Sequence, residues 1–111
     1  MNKETRQQVY DKCGGHCAYC GKAIEYKNMQ VDHIKPKYLG GKEEPDNYNP
    51  ACRRCNHYKS TFNIEYFRAM IKNIHERVMK NYISKVAEDY GILEIKEWDG
   101  TFYFEKAGGE R

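Results

Sequence analysis

The sequence predicts a small α+β domain: a core stapled by a four-cysteine zinc site, with an N-terminal helix before it and a C-terminal helix plus β-hairpin after it. Three observations carry that expectation. Four of the five cysteines fall into two pairs, Cys17-x2-Cys20 and Cys52-x2-Cys55. Apolar residues from Ile64 to Val86 return every three or four positions, the period of a helix packed on one face. Near the end, ILEIKEW and TFYFEK alternate at period two on either side of Asp99-Gly100, a dipeptide suited to a tight hairpin turn. A chain of 111 residues with 40% hydrophobic content makes one domain with a modest core, which is where a metal staple is useful.

Residues 1–16 read as a polar helix, capped by Asn2 or Thr5 and stopped by Gly14-Gly15. Cys13 follows Val9 by one helical turn, which predicts a buried thiol, and His16 reads as a turn residue. The start has no apolar signal segment, so a cytoplasmic location is expected. In a reducing compartment clustered thiols favour metal over disulfides, and an odd count agrees. Residues 17–62 hold both pairs. Two thiolates at x2 spacing grip one tetrahedral ion, and two such pairs leave it no open position, so the expected zinc is structural. Residues 63–90 form the amphipathic helix, as one long segment or two shorter ones, and 91–106 the hairpin. Residues 107–111 are left as a disordered tail. No run approaches the roughly 18 apolar residues of a membrane helix.

The insert between the pairs contains VDHIKP, residues 31–36, which reads as a short strand with Asp32 beside His33. Strand neighbours point to opposite faces, so the two can share a site only at a strand end or a twisted edge. On the helix expected after Pro50, Cys52 and Cys55 share a face, Asn56 turns about 100° further round, and Lys59 lies one turn beyond it. These residue types suit phosphodiester hydrolysis. That reaction needs a metal to neutralise the phosphate, a base for the water and stabilisation of the leaving oxygen. Imidazole is the side chain whose ordinary pKa lies nearest neutrality, which makes His33 the candidate base. Asp32 and Asn56 offer hard oxygens, which favour Mg2+ or Mn2+ over zinc. Lys59 is placed to touch a phosphate. A net charge of +3 is compatible with a polyanionic partner. Lys35, Lys37, Arg53, Arg54 and Lys59 are the nucleic-acid-binding candidates, with Tyr19, Tyr38, Tyr48 and Tyr58 interleaved.

From Cys17 to Ser60 the chain resembles the HNH nuclease family. The features that match together are D-H at 32 and 33, Pro36, Gly40-Gly41, D-N at 46 and 47, and C-N-x-x-K from Cys55 to Lys59. The resemblance implies a ββα-metal (His-Me finger) nuclease core and an endonuclease acting on DNA. It implies Asp32 and Asn56 as ligands of the catalytic divalent ion, His33 as general base, and Asn47 as the residue that orients the histidine's loop or ring. Asn56 where the family often has histidine makes this an H-N-N variant. His57 stands as the alternative to Asn56, and Asn49, otherwise a turn residue before Pro50, as the alternative to Asn47. Compact phage-type members suggest DNA packaging or mobile-element biology, with a homodimer or a larger DNA-processing complex left open. The competing reading is a non-catalytic zinc-containing DNA-binding module, or a subunit of a DNA-processing complex.

Overall fold

The computed structural model describes residues 1–110, with side-chain environments as far as Lys106. The chain divides into two units, one made of residues 1–64 with the segment from Thr101 onward, the other of residues 65–100.

In the first unit, α1 (Lys3–Lys12) begins where Asn2 Oδ1 accepts the Thr5 N–H at 2.8 Å, with Glu4 in its first turn and Lys12 in its last. The side-chain cap and the charge order both suit the helix dipole. Cys13 ends the helix, and Gly14 and Gly15 follow with positive φ. β1 (Gln30–His33) pairs antiparallel with β2 (Tyr48–Ala51), placing Asp32 opposite Asn49 and His33 opposite Tyr48. α2 (Arg53–Lys59) starts directly after β2, with Cys52 as its N-cap. β1, β2 and α2 are the expected ββα core. Val9, Met29 and Tyr48 form its buried centre, with Tyr10, Ile24 and Val31 packed around them. Arg6 fastens α1 to the loop before β1 by donating to the carbonyls of Tyr26 and Met29. Lys12 Nζ reaches the Tyr48 carbonyl at 2.9 Å.

Several expectations are corrected. The strand expected over 31–36 ends at His33, because the chain turns through Pro36, which has no N–H for a ladder. Asn49 is a strand residue, fully buried, rather than a turn residue before Pro50. No C-terminal hairpin forms: residues 93–99 carry no ladder, and Tyr103–Glu110 is a helix, α6. Glu105 explains the second half. Its Oε1 accepts the Phe102 N–H at 2.8 Å, the capping-box bond from the third helical position back to the N-cap, and this closes a helix over a stretch that alternates like a strand. Phe102 and Phe104 then pack edge-on against Tyr19, with ring centroids 5.3 and 6.0 Å away. The tail expected over 107–111 runs on in α6 as far as Glu110, and Arg111 lies outside the described residues.

The second unit holds what was expected over 63–90 as one long amphipathic helix or two shorter ones. It is three helices, α3 (Ile64–Lys72, whose first residue belongs to the first unit), α4 (Ile74–Met79) and α5 (Tyr82–Asp89). Asn73 and Asn81 stand at the breaks, where a residue that favours caps and turns ends the helix although the apolar period continues. Ile71, Ile74, Val78, Ile95 and Trp98 line one apolar groove of this unit. No helix among the described residues is long and apolar enough to cross a membrane.

Candidate active site

The four cysteines meet. Their Sγ atoms all lie within 4.8 Å of one another, and Cys20 Sγ is 3.9 Å from Cys52 Sγ. A tetrahedral zinc with arms of about 2.3 Å spaces its sulfurs roughly 3.8 Å apart, so the donor set fits that ion. Local backbone prepares the sulfurs: the Tyr19 N–H donates to Cys17 Sγ at 3.4 Å and the Cys55 N–H to Cys52 Sγ at 3.3 Å. The Cys17 thiol is drawn down to about 4, chiefly by the hydrogen bond from Cys55, whose own thiol is pushed up for the same reason. Protons held among the four sulfurs are those that a bound metal would displace. His16 stays outside the cluster, with Nδ1 against the carbonyls of Cys13 and Gly14. Cys13 is buried, as its helical spacing predicts.

A cleft of about 530 Å³ lies beside this cluster, with Asp32, His33, Asn56, Ser60, Lys37 and Tyr38 among its lining residues. β1 supplies Asp32 and His33 from its last two positions. α2 supplies Asn56, whose direction is set by Cys52 and Cys55 in the turn before it. Asp32 is only 5% exposed, and one of its oxygens, Oδ2, takes both the Tyr19 hydroxyl at 2.5 Å and the Lys59 ammonium at 3.0 Å. Burial holds the Asp32 carboxyl above the ordinary carboxylate pKa, while Tyr19 and Lys59 pull it the other way. Neither Asp32 Oδ1 nor the Asn56 side-chain amide makes a hydrogen bond among the described residues. Two oxygens without protein partners on one cleft fit a hard, partly hydrated divalent ion.

Lys59 is where the sequence expectation fails. It is fully buried, with Nζ shared between Asp32 Oδ2 and the His33 carbonyl, so it braces the end of β1 and presents no ammonium to a phosphate. Helical spacing had given its direction but not its depth. Lys35, Lys37, Arg53 and Arg54 are exposed. Arg53 and Arg54 line a separate concavity with Lys22 and His57, which leaves Asn56 and not His57 on the cleft. Tyr19 and Tyr48 are buried, and Tyr38 is the open tyrosine of the cleft.

Asn47 ties the loop that follows β1. Its Oδ1 accepts the Lys35 N–H at 2.9 Å, and its Nδ2 donates to the carbonyls of Lys35 and Lys42 at 2.9 and 3.0 Å. Gly41 makes the loop's tightest approach: a Cβ there would lie 1.7 Å from the Lys35 carbonyl oxygen. Glu43 had gone unread in the sequence, and two other residues serve the site otherwise than expected. Tyr19, expected among the tyrosines interleaved with the basic residues, bonds Asp32, and Asn49, expected as a turn residue or as the alternative to Asn47, donates to the Tyr19 hydroxyl at 3.3 Å. Glu43 left no sequence signal; its Oε1 lies 2.5 Å from His33 Nε2.

The same stretch of chain resembles known proteins. A family model described as HNH endonuclease matches residues 17–72, about half of the chain. The CRISPR-associated endonuclease Cas9 of Corynebacterium diphtheriae is 36% identical over 55 residues, 49% of this chain and 5% of that protein. A crystal structure of the type II-C Cas9 enzyme from Actinomyces naeslundii superposes with a TM-score of 0.54 and 32% identity, covering 59% of this chain and 7% of that one. The chain thus corresponds to a small fraction of the length of these relatives.

Proposed function

The chain belongs to the HNH endonuclease family, and from that premise we propose that it hydrolyses phosphodiester bonds in DNA with the help of a divalent metal ion. The observation that carries the reading is the cleft itself, where Asp32, His33 and Asn56 come from three positions of one ββα core to a single opening. In this reading His33 accepts the proton of the attacking water. Asp32 and Asn56 hold Mg2+ or Mn2+ by side-chain oxygens, and the ion, when bound, offsets the negative charge gathering on the phosphate. Tyr19 and Lys59 keep the Asp32 carboxylate fixed through its other oxygen. Exposed Lys35, Lys37, Arg53 and Arg54 bind the DNA backbone, without reading sequence. Structural zinc in the four-cysteine site aims α2, and a site built to hold metal through thiolates suits a reducing compartment such as the cytoplasm.

The test is incubation of the purified protein with supercoiled plasmid, with and without Mg2+ or Mn2+, beside His33→Ala. Nicked or linear product should require the metal and His33, while DNA affinity should be the same in both proteins. Equal cleavage by His33→Ala would remove His33 from the reaction. Metal-replete wild type that binds DNA but leaves it intact would favour the non-catalytic binding module.

A further inference from the structure

We infer that Glu43 is a positioning residue for His33: its carboxylate accepts the imidazole Nε2–H, fixes that tautomer, and leaves Nδ1 as the nitrogen that takes the proton from water. The inference rests on the proposed role of His33 and adds the group that aims it.

The geometry has three parts. First, Glu43 Oε1 lies 2.5 Å from His33 Nε2, and an ionised carboxylate can only accept, so in the neutral ring the hydrogen belongs on Nε2. Nδ1 makes no hydrogen bond among the described residues, and the ring lines the cleft. Second, the carboxylate is itself held. Tyr48 donates its hydroxyl to Oε2 at 3.1 Å, and the Lys37 ammonium sits 3.3 Å from Oε1. The Tyr48 ring also meets His33 edge-on, with centroids 5.2 Å apart and planes at 82°, which restrains the imidazole about its long axis. Third, the backbone that carries Glu43 is pinned next door: Asn47 Nδ2 donates to the Lys42 carbonyl, and Gly41 closes the turn against Lys35. Glu43 and Lys37 therefore arrive at His33 on a loop whose two limbs Asn47 joins. A carboxylate behind an imidazole is a general device for selecting tautomer and orientation in proton transfer. A surface acid and histidine that met by chance would need neither the tyrosine hydroxyl on the far oxygen nor the fixed loop.

Glu43→Ala tests this, and because the Glu43 side chain is 55% exposed its removal leaves the core intact. Both proteins are labelled with 15N in the histidine rings, and the His33 signals are assigned by their loss in His33→Ala. At about pH 8, above the ordinary imidazole range, wild type should show the Nε2–H tautomer at His33, and Glu43→Ala a mixture. In cleavage assays Glu43→Ala should lower kcat at saturating Mg2+ by roughly tenfold or more, with the half-saturating Mg2+ concentration and DNA affinity unchanged. An unaltered tautomer with an unaltered kcat overturns the inference. So does a rise in half-saturating Mg2+ at constant kcat, which would make Glu43 a metal ligand. If His33→Ala also cleaves like wild type, the role of His33 has failed; if only Glu43→Ala does, the failure belongs to this inference alone.

Discussion

Lys59→Met is the sharpest perturbation the structure offers, because it separates a brace from a phosphate contact. Methionine nearly fills the lysine stem's volume, so packing changes little. What disappears is the cation between Asp32 and the His33 carbonyl. Lys59 is 0% and Asp32 5% exposed, so solvent screens neither charge. Removing one partner of such a pair costs about 3–5 kcal/mol. The lower figure corresponds to a fall in Tm of roughly 12 °C for a domain of this size. The loss should also depend on pH. Burial already holds the Asp32 carboxyl above its unfolded pKa, so the folded state binds that proton more tightly than the unfolded chain. The contribution of Asp32 to stability is then fullest below the unfolded pKa and declines as pH rises through the folded one. Without the ammonium that favours the carboxylate, the folded pKa rises further and the decline deepens. The gap between wild type and Lys59→Met should therefore narrow from about pH 7 to about pH 5. Thermal melts followed by circular dichroism at fixed free zinc measure it, with DNA affinity read in parallel. A Tm shift under about 3 °C at neutral pH, or a gap that widens toward acid, would refute the buried brace. Weakened DNA binding with an unchanged Tm would return Lys59 to the phosphate.

Other substitutions probe the remaining parts. Cys52→Ala removes both a metal ligand and the acceptor of the Cys55 N–H, so zinc per chain, measured by elemental analysis, should fall together with Tm. Asn56→Ala should raise the Mg2+ concentration for half-maximal cleavage by about tenfold, equivalent to about 1.4 kcal/mol, without lowering zinc content; superimposable Mg2+ titrations would exclude Asn56 as a ligand. Gly41→Ala forces a Cβ toward the Lys35 carbonyl, so the loop must shift at a cost of about 1–3 kcal/mol. Its kcat should drop by more than its Tm shift explains, and an unchanged kcat would detach the loop from the reaction.

The parts of the molecule that could be read in advance are those set by local spacing. Each cysteine pair is a single turn, so Cys17, Cys20, Cys52 and Cys55 announce their own geometry, and Asn56 inherits its direction from Cys55. The start of α1 was legible for the same reason, since its cap lies three residues from its target. Lys59 shows the limit: a helical wheel gives an angle, and only the packing of β1 against α2 shows that the angle points inward. Glu43 lies ten positions from His33 across a loop whose closure depends on Gly41 and Asn47, so no periodicity links the two. TFYFEK was misread because alternation and Asp99-Gly100 both suit a hairpin, while the deciding contact was one backbone bond to Glu105. In the same way Asn73 and Asn81 divide a region whose apolar period runs through both without interruption.

The return of the segment from Thr101 onward to the first unit has a consequence for how the protein is made. The Phe104 N–H bonds the Ala18 carbonyl at 2.8 Å, and Phe102 and Phe104 cover the ring of Tyr19, whose hydroxyl holds Asp32. A ribosome delivers Cys55, the last sulfur of the metal cluster, well before it delivers Phe102. The nascent chain can therefore gather its four thiolates while the aromatic lid over Tyr19 is still unsynthesised, and Tyr19, two residues after Cys17, waits for Phe102 and Phe104. Translation speed through 65–100 sets how long that half-covered state lasts, and with it how long the face of Tyr19 is open to chaperones or to neighbouring nascent chains.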